Sequence, residues 1–375
     1  MPLNLTLASR NLFHDRLRFV ATTIGIVFSV VLVMVQMGLY LGFGRMVTTV
    51  IAHTSADLWV MRHGTKCFED PSLLNASKLT PVVATPGVAE AIPLVIGFSG
   101  WILPSGEITP VFVVGSDLQT LKPWNVTAGT VQALSTPGAV AIDRSYFERL
   151  GVSGLGSKAN IRGLPVSVAA ITDGIRSFTT TPYIFSDLSH ARAYVGIPST
   201  MVSYLLVKLR PGADLEQVRH DLQSSLPDSE VLTTAEFQER SRSYWLFGTG
   251  AGAALFAGAI LGIIVGLVIV AQTLYSSTKD HLDEFATLRA MGSSNGYIYS
   301  VIIYQALLNA VIGFAFATLI GFSVVEFTRS GALPVLITPM LILAMFVLTV
   351  VMCIAAALGA IFRVVRIDPV MVFTR

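Results

Sequence analysis

The sequence predicts an α-helical membrane protein with four transmembrane helices and a mixed α/β extracytoplasmic domain inserted between helices 1 and 2. Hydrophobic residues make up 53% of the 375 residues, charged residues only 13%, and the mean hydropathy is +0.68. Soluble chains carry about 25% charged residues. Four long segments contain no charged residue at all. This composition excludes a disordered chain, a coiled coil and a protein that binds nucleic acid through a basic patch.

Each of the four uncharged segments is long enough for one spanning helix. The segments contain 26, 36, 36 and 33 positions, and about 20 apolar residues cross a bilayer. The first is too long for a cleaved signal peptide and is predicted to be a retained anchor. The predicted divisions are a cytoplasmic interface helix at 1–18, spans at 19–44, 245–275, 298–327 and 340–362, an extracytoplasmic domain at 45–244, a cytoplasmic loop at 276–297, a short outer loop at 328–339 and a cytoplasmic tail at 363–375.

Basic residues near the helix ends predict the orientation. The first segment holds Arg10, Arg16 and Arg18, and the loop between helices 2 and 3 holds Lys279 and Arg289. Cytoplasmic segments carry such an excess of Lys and Arg. We therefore expect both termini and the middle loop in the cytoplasm, beneath a cell inner (plasma) membrane. The first segment fits an amphipathic interface helix, with a plain basic flank of the anchor as the alternative.

The inserted segment alternates between strand-like and helix-like patterns and is large enough to form a core of its own. Its clearest unit is a strand at 203–209, a turn containing Pro211 and Gly212, a helix from Asp214 and a strand at 230–232. The two ends of an inserted domain must meet near the membrane. We therefore expect a membrane-proximal lobe built from both ends and a distal lobe at about 96–198.

Sequence motifs give little support for catalysis in this domain. His63 and Cys67, followed by Glu69 and Asp70, could bind a metal if they shared one helix face, but Pro71 favours a loop and zinc needs four ligands. Neither G-x-S-x-G nor H-E-x-x-H occurs. We expect no catalytic residue, no metal site and no enzymatic activity in this chain.

The sequence contains no G-x-x-x-x-G-K-[ST] motif, the loop that cradles ATP phosphates. We therefore expect no cofactor in this chain, and any energy from ATP and Mg²⁺ must come from a partner. The spans also hold no ionisable residue at their centres, which argues against a proton-coupled transporter.

Small residues recur every four positions along the second predicted span, at Ala254, Gly258, Gly262 and Gly266. This spacing places them on one helix face, where another helix backbone can approach closely. We predict a contact with a second copy of the chain, and packing within one chain is the alternative.

The middle cytoplasmic loop predicts a short helix. Ser277 followed by Asp280 gives a capping signal, and Gly292 provides a stop. Leu282 and Phe285 share one face with little to bury against in so small a cytoplasmic region. An exposed apolar face rimmed by charge favours a docking surface, and a helix that lies on lipid headgroups is the alternative.

These residues carry a family resemblance. The loop reads DHLDEFATLRAMG at 280–292, helix 1 reads GIVFSVVLVMVQMG at 25–38, ADLWV follows at 56–60, and the tail reads RIDPV at 366–370. Together they resemble FtsX-like/MacB-type ABC transporter permeases, with the loop most similar to the DevC branch. The resemblance covers both ends of the chain and all four helices.

The resemblance implies a type VII ABC system that works by mechanotransmission. Two permease copies pair with two cytoplasmic ATPases, and ATP-driven motion is relayed to the outer domain and a periplasmic adaptor (a membrane fusion protein). The family loop assigns ATPase docking to the coupling helix. Its residues in this sequence are Leu282, Glu284, Phe285, Leu288, Arg289 and Gly292.

The sequence thus predicts the permease subunit of an ABC exporter. The alternatives within the family are an FtsX-like regulator of cell-wall hydrolases and a lipoprotein- or haem-exporting relative, for which His53 is the candidate axial ligand. A membrane-anchored enzyme is disfavoured because no catalytic constellation occurs.

Overall fold

The computed structural model of the protein describes residues 16–118, 121–178, 181–280, 295–328 and 335–365. Its contacts divide the chain into two units. One unit is Phe43–Ala251, which contains the α/β domain. The other is formed by the segments on either side, Met1–Gly42 and Gly252–Arg375.

The helices of the described residues are, in chain order, α1 (Arg16–Met46), α2 (Thr49–Ala52), α3 (Leu79–Ala84), α4 (Phe147–Leu150), α5 (Leu188–Val195), α6 (Leu215–Ser225), α7 (Thr234–Ser243), α8 (Ala251–Asp280), α9 (Asn295–Thr328) and α10 (Pro339–Val365). The strands are β1 (Leu58–Arg62), β2 (Leu74–Asn75), β3 (Val88–Ile102), β4 (Ile108–Ser116), β5 (Val126–Gly129), β6 (Ala139–Asp143), β7 (Lys158–Ile161), β8 (Leu164–Thr172), β9 (Tyr183–Asp187), β10 (Met201–Val202), β11 (Tyr204–Leu209) and β12 (Ser229–Thr233).

Within the residues that the structure describes, four helices are long and apolar enough to cross a membrane, at Phe19–Met46, Ala251–Thr273, Tyr299–Thr328 and Pro339–Gly359. They pack around small buried side chains such as Ala306, Ala310 and Ala317, while large apolar residues such as Phe316 and Leu319 point outward. A helix bundle in lipid is apolar on its outer surface as well as in its core, because lipid tails do not solvate polar groups. With the inserted α/β domain, these helices confirm the predicted fold class.

One lobe of the α/β domain has the strand order β12-β1-β11-β3, with antiparallel neighbours throughout. Along the chain these strands are the fourth, first, third and second of the lobe, which is the order of the split β-α-β ferredoxin-like fold. Helix α3 follows β1 and α6 joins β11 to β12. Trp59 is fully buried at the centre of β1, opposite Leu206 on one side and Leu232 on the other.

The second lobe is a closed set of strand pairings. The path β3-β4-β9-β6-β8 returns to β3 through β7, and β5 extends the sheet from β8. Trp101 pairs with Ile161 where β3 meets β7, and its indole N–H donates to the Leu150 carbonyl at 3.0 Å. Helix α5 lies close to the sheet over Gly115, where an added Cβ would come within 1.9 Å of Ala191 Cβ.

Strand β3 belongs to both lobes, because its first half pairs with β11 and its second half pairs with β4. The alternation of the sequence predicts a strand at 93–103, so the first residues of β3 were not predicted. The predicted second span also differs from the structure at its start, since a π-helical turn occupies Tyr244–Gly248 and α8 begins at Ala251. Gly248 and Gly250 favour this break, and Gly250 has the positive φ of 77° that other residues avoid.

Candidate functional site

The base of the α/β domain is where the chain arrives from the first span and leaves toward the second. The arriving segment includes Phe43 and Gly44, and the departing segment comprises α7 and the π-helical turn. Helix α7 begins with a capping box in which Thr233 and Glu236 satisfy each other's backbone N–H groups. The Arg242 side chain then donates from Nε to the Gly44 carbonyl at 3.5 Å, a long bond that joins the two segments.

Phe178 lies between the arriving and departing segments. Its ring is 5.2 Å from the ring of Phe43 and 4.3 Å from that of Trp245, with edge-on geometry in both contacts. Only 8% of Phe178 is exposed. Because Phe178 belongs to the loop between β8 and β9, a part of the second lobe contacts both segments at once.

Glu69 makes a polar contact beside this aromatic cluster. Its carboxylate accepts a hydrogen bond of 3.0 Å from Trp245 Nε1 and one of 3.3 Å from the Tyr183 hydroxyl. Burial raises the pKa of Glu69 to about 7, although the hydrogen bonds from Trp245 and Tyr183 act in the opposite direction. The same burial, with the nearby Glu69 charge, raises the pKa of Tyr183 well above its ordinary value.

The Glu69 contacts join three separate parts of the α/β domain. Glu69 follows β1 in the loop, Tyr183 begins β9, and Trp245 lies in the turn before α8. A π-helical turn is rare and is frequently found at functional positions. The contacts of the arriving and departing segments therefore reach into both lobes.

The candidate metal ligands do not converge. Cys67 is fully buried, and burial raises the pKa of its thiol to about 12, so the thiolate that binds zinc is disfavoured. His63 is exposed and contacts the Pro227 carbonyl through Nε2. Glu69 points instead to Trp245. Among the described residues there is no group of three His, Cys, Asp or Glu that could hold a metal ion.

Asp187, Ser189 and His190 form a polar cluster that could suggest a triad. Ser189 donates to Asp187 Oδ2 at 2.7 Å, and His190 Nδ1 contacts Asp187 Oδ1. In a nucleophilic triad the serine faces the imidazole nitrogen opposite the carboxylate. Here Ser189 lies on the carboxylate itself, and Asp187 caps the N-terminus of α5, so the cluster is a helix cap.

The glycine face of α8 lies against α1 of the same chain. Added Cβ atoms at Gly258, Gly262 and Gly266 would come within 2.8, 2.8 and 1.9 Å of side chains on α1. Ser29 also donates to the Gly262 carbonyl at 2.7 Å. Ala254 is exposed. The intrachain alternative therefore accounts for these three glycines, and the contact with a second copy stays a prediction.

Two further predictions concern the ATPase-docking residues and the candidate haem ligand His53. The docking residues Leu282, Glu284, Phe285, Leu288, Arg289 and Gly292, like most of the 1–18 segment, lie outside the described residues. His53 stacks on Trp124 with ring centroids 3.8 Å apart, and its Nδ1 contacts the Thr49 carbonyl at 2.7 Å.

Sequence patterns do not mark Phe178 or Trp245 as residues of this cluster. Phe178 stands in a polar stretch between two predicted strands, and Trp245 was placed at the edge of a membrane span. The signal that could have marked Trp245 is the pair of glycines at 248 and 250, which interrupt a helix just before a span.

Residues 19–225 match the family described as the MacB-like periplasmic core domain, and residues 256–369 match the family described as the FtsX-like permease C-terminal. No curated protein matches the chain.

Two solved structures are similar in part. The periplasmic region of MacB from Actinobacillus actinomycetemcomitans has 9% identity and a TM-score of 0.38, and the match covers 52% of this chain and 96% of that one. The extracellular domain of the noncanonic ABC-type transporter YknZ from Gram-positive bacteria has 15% identity and a TM-score of 0.35, and the match covers 47% and 98%.

The fold and the matched regions define a multi-pass membrane protein whose four spans carry an inserted α/β domain. Because the periplasmic core domain match alone spans more than half of the chain, the protein belongs to the family of FtsX-like, MacB-type permeases. It is therefore a transmembrane component of an ABC transporter in the inner membrane, a class whose members work with an ATPase.

Proposed function

We propose that this chain is the permease subunit of an ABC exporter that relays ATP-driven motion of a separate cytoplasmic ATPase to its extracytoplasmic domain and a periplasmic adaptor. The subunit itself is non-catalytic and acts as a homodimer, with both termini in the cytoplasm. The DevC-like loop motif favours export over regulation of cell-wall hydrolases.

The observation that carries this proposal is the position of Phe178. The arriving and departing segments both pack on this one residue, through Phe43 and Trp245. A displacement of either segment therefore acts directly on the loop between β8 and β9. Tyr183 and Glu69 extend the same connection from the departing segment to β9 and to the loop after β1.

The first test is purification of the tagged full chain from mild-detergent membranes, with copurifying proteins identified by mass spectrometry. A P-loop ATPase together with a periplasmic adaptor supports the exporter. An ATPase with an activator of cell-wall hydrolases favours the regulator instead. The absence of any ATPase under conditions that keep the complex together contradicts the proposal.

The docking assignment is tested in the same preparation with the double substitution Leu282→Asp and Phe285→Asp. We expect the ATPase to be lost while the permease keeps its elution volume and thermal stability, because two charges replace the apolar ridge that would enter the ATPase. Undiminished copurification would show that the coupling helix does not dock there.

The relay is tested with Phe178→Ala in the complex with its ATPase. We expect ATP hydrolysis to continue while the ATP-dependent change in hydrogen exchange of the second lobe disappears. Phe98→Ala is the matched control, because Phe98 is a half-exposed ring of the same domain that packs on Phe112 and lies outside the cluster. An ATP-dependent change that persists in Phe178→Ala contradicts this relay path.

A further inference from the structure

A groove at the base of the α/β domain is distinct from the buried cluster around Glu69. It is shallow and opens widely to solvent. It is lined by Lys66 from the loop after β1, by Arg240 and Ser243 of α7, and by Tyr244, Phe247 and Gly248 of the π-helical turn. The lining combines cationic, hydroxyl and aromatic groups, which together suit an amphipathic anion.

The positive charge of the groove comes from Lys66. Arg240 is held by Glu230, with Nη1 of the guanidinium 2.6 Å from Oε2 of the carboxylate, so its charge is largely compensated. Lys66 is exposed and forms no ion pair within the part of the chain that the structure describes. The nearest acid in its own loop, Glu69, directs its carboxylate inward to Trp245. An ammonium group is therefore left without a counter-charge at the wall of the groove.

The apolar part of the groove is built by the π-helical turn. Phe247 is 67% exposed, which is unusual for a phenylalanine in a domain with a well-packed core. Tyr244 lies over Gly248, where an added Cβ would come within 3.2 Å of the Tyr244 ring. The missing side chain at Gly248 thus gives the tyrosine room to lie across the floor beside Phe247.

The chain places this groove at the membrane surface. Phe247 precedes the start of the second span, Ala251, by four residues, and four residues reach at most about 14 Å. Phospholipid headgroups occupy this depth, and aromatic side chains with one apolar and one polar end are enriched there. Because a free anion would use only the cationic wall, the exposed Phe247 favours a ligand that also has a hydrocarbon part.

We propose that this groove binds an anionic glycerophospholipid of the leaflet on the side of the α/β domain. The Lys66 ammonium contacts the headgroup phosphate, and the Ser243 hydroxyl donates a hydrogen bond to it. Tyr244 and Phe247 cover the glycerol backbone and the first methylenes of an acyl chain. The site shares the π-helical turn with the proposed relay, because Tyr244 contacts Trp245 edge-on with ring centroids 5.5 Å apart. Its lining residues, however, make no hydrogen bond to Glu69 or Tyr183 among those that the described residues show.

The test uses the full chain in nanodiscs of phosphatidylcholine that contain one tenth phosphatidylglycerol, and native mass spectrometry counts the lipids retained after gentle release. We expect phosphatidylglycerol to be enriched over its share of the bilayer. Lys66→Glu should lower the retained phosphatidylglycerol by at least about fivefold, since loss of one lysine near an anionic surface has that effect and the glutamate adds repulsion. Lys122→Glu, an equal charge change at an exposed lysine outside the groove, should leave retention unchanged.

Two further measurements separate a lipid from a free anion. Phe247→Ser keeps the charges and should also reduce phosphatidylglycerol retention, and millimolar inorganic phosphate should not displace the lipid. Retention of phosphatidylglycerol only in proportion to its share of the bilayer, or loss in Lys122→Glu as large as in Lys66→Glu, overturns the proposal. Displacement by inorganic phosphate with no effect of Phe247→Ser overturns it in favour of a simple phosphate site. If the melting temperatures of Lys66→Glu and Phe247→Ser equal that of the wild type, both variants are folded.

Discussion

Trp245 donates a 3.0 Å hydrogen bond from its indole nitrogen to the buried carboxylate of Glu69. This bond connects the turn that leads into the second span with a loop of the α/β domain. The edge-on contact of Trp245 with Phe178 adds the second lobe to the same connection. Glu69 is only 7% exposed and has few hydrogen-bond donors. Its contribution to the stability of the domain therefore depends on pH and on each of these donors.

Glu69 should make the stability of the α/β domain depend on pH. Burial raises its pKa to about 7 from an ordinary 4.5. Between these values the unfolded chain loses the proton while the folded chain keeps it. The stabilising contribution is therefore complete below about pH 4.5 and is lost as pH rises through 7, which amounts to about 3 kcal/mol. We expect the melting temperature of the domain to fall over this range.

Glu69→Gln is the matched variant for this pH dependence. Glutamine keeps the size of the side chain and accepts hydrogen bonds but does not titrate. Its melting temperature, followed by tryptophan fluorescence of the full chain in detergent, should be flat where that of the wild type declines. A decline of equal size in both proteins would assign the pH dependence to other groups.

Trp245→Phe should destabilise the domain mainly at alkaline pH. Phenylalanine can still pack on Phe178, but Glu69 loses the donor at 3.0 Å. Leaving a buried acceptor with an unmade hydrogen bond costs about 1–3 kcal/mol, and more when the group is charged. The loss in melting temperature should therefore be larger at pH 8 than at pH 5.5. Trp101→Phe provides the control and should show no such difference, because its indole donates to the neutral carbonyl of Leu150.

Gly266→Ala should destabilise the membrane unit, although alanine is the better helix former. Its Cβ would lie 1.9 Å from Ser29 Oγ and 2.9 Å from Met352 Sδ, so the helices must separate. Overpacking of this kind costs about 1–3 kcal/mol. Gly359→Ala is the matched control, because an added Cβ at Gly359 meets nothing within 4 Å. Size-exclusion chromatography of heated, detergent-solubilised protein should show that Gly266→Ala aggregates at a lower temperature than the wild type, whereas Gly359→Ala does not.

Cys67 should not react with maleimide in the folded protein. The thiol is fully buried, and its pKa of about 12 leaves almost no thiolate at neutral pH. Cys353 is also fully buried. Intact-mass measurement should therefore show no addition in the native state and two additions in denaturant. Ser243→Cys, at an exposed position, should add one label in the native state and show that the reagent reaches the domain.

The sequence determined the four spans, because a charge within the bilayer is so costly that uncharged stretches mark the spans directly. Local patterns also predict most strands and helices of the inserted domain. For example, Pro211 and Asp214 mark the start of α6 after β11. The loop motif at 280–292, together with helix 1, the segment at 56–60 and the tail, pointed to the family that residues 19–225 and 256–369 match.

Tertiary structure alone decided which elements meet. The spacing of Gly258, Gly262 and Gly266 predicts a close helix contact but does not identify the partner, and the structure places α1 there. Likewise, β3 serves both lobes because its two halves find different partners far apart in the chain. Phe178 and Glu69 come together with Trp245 through such long-range contacts. Local patterns encode which face a residue presents, whereas pairing between distant segments depends on the free energy of the whole packed domain.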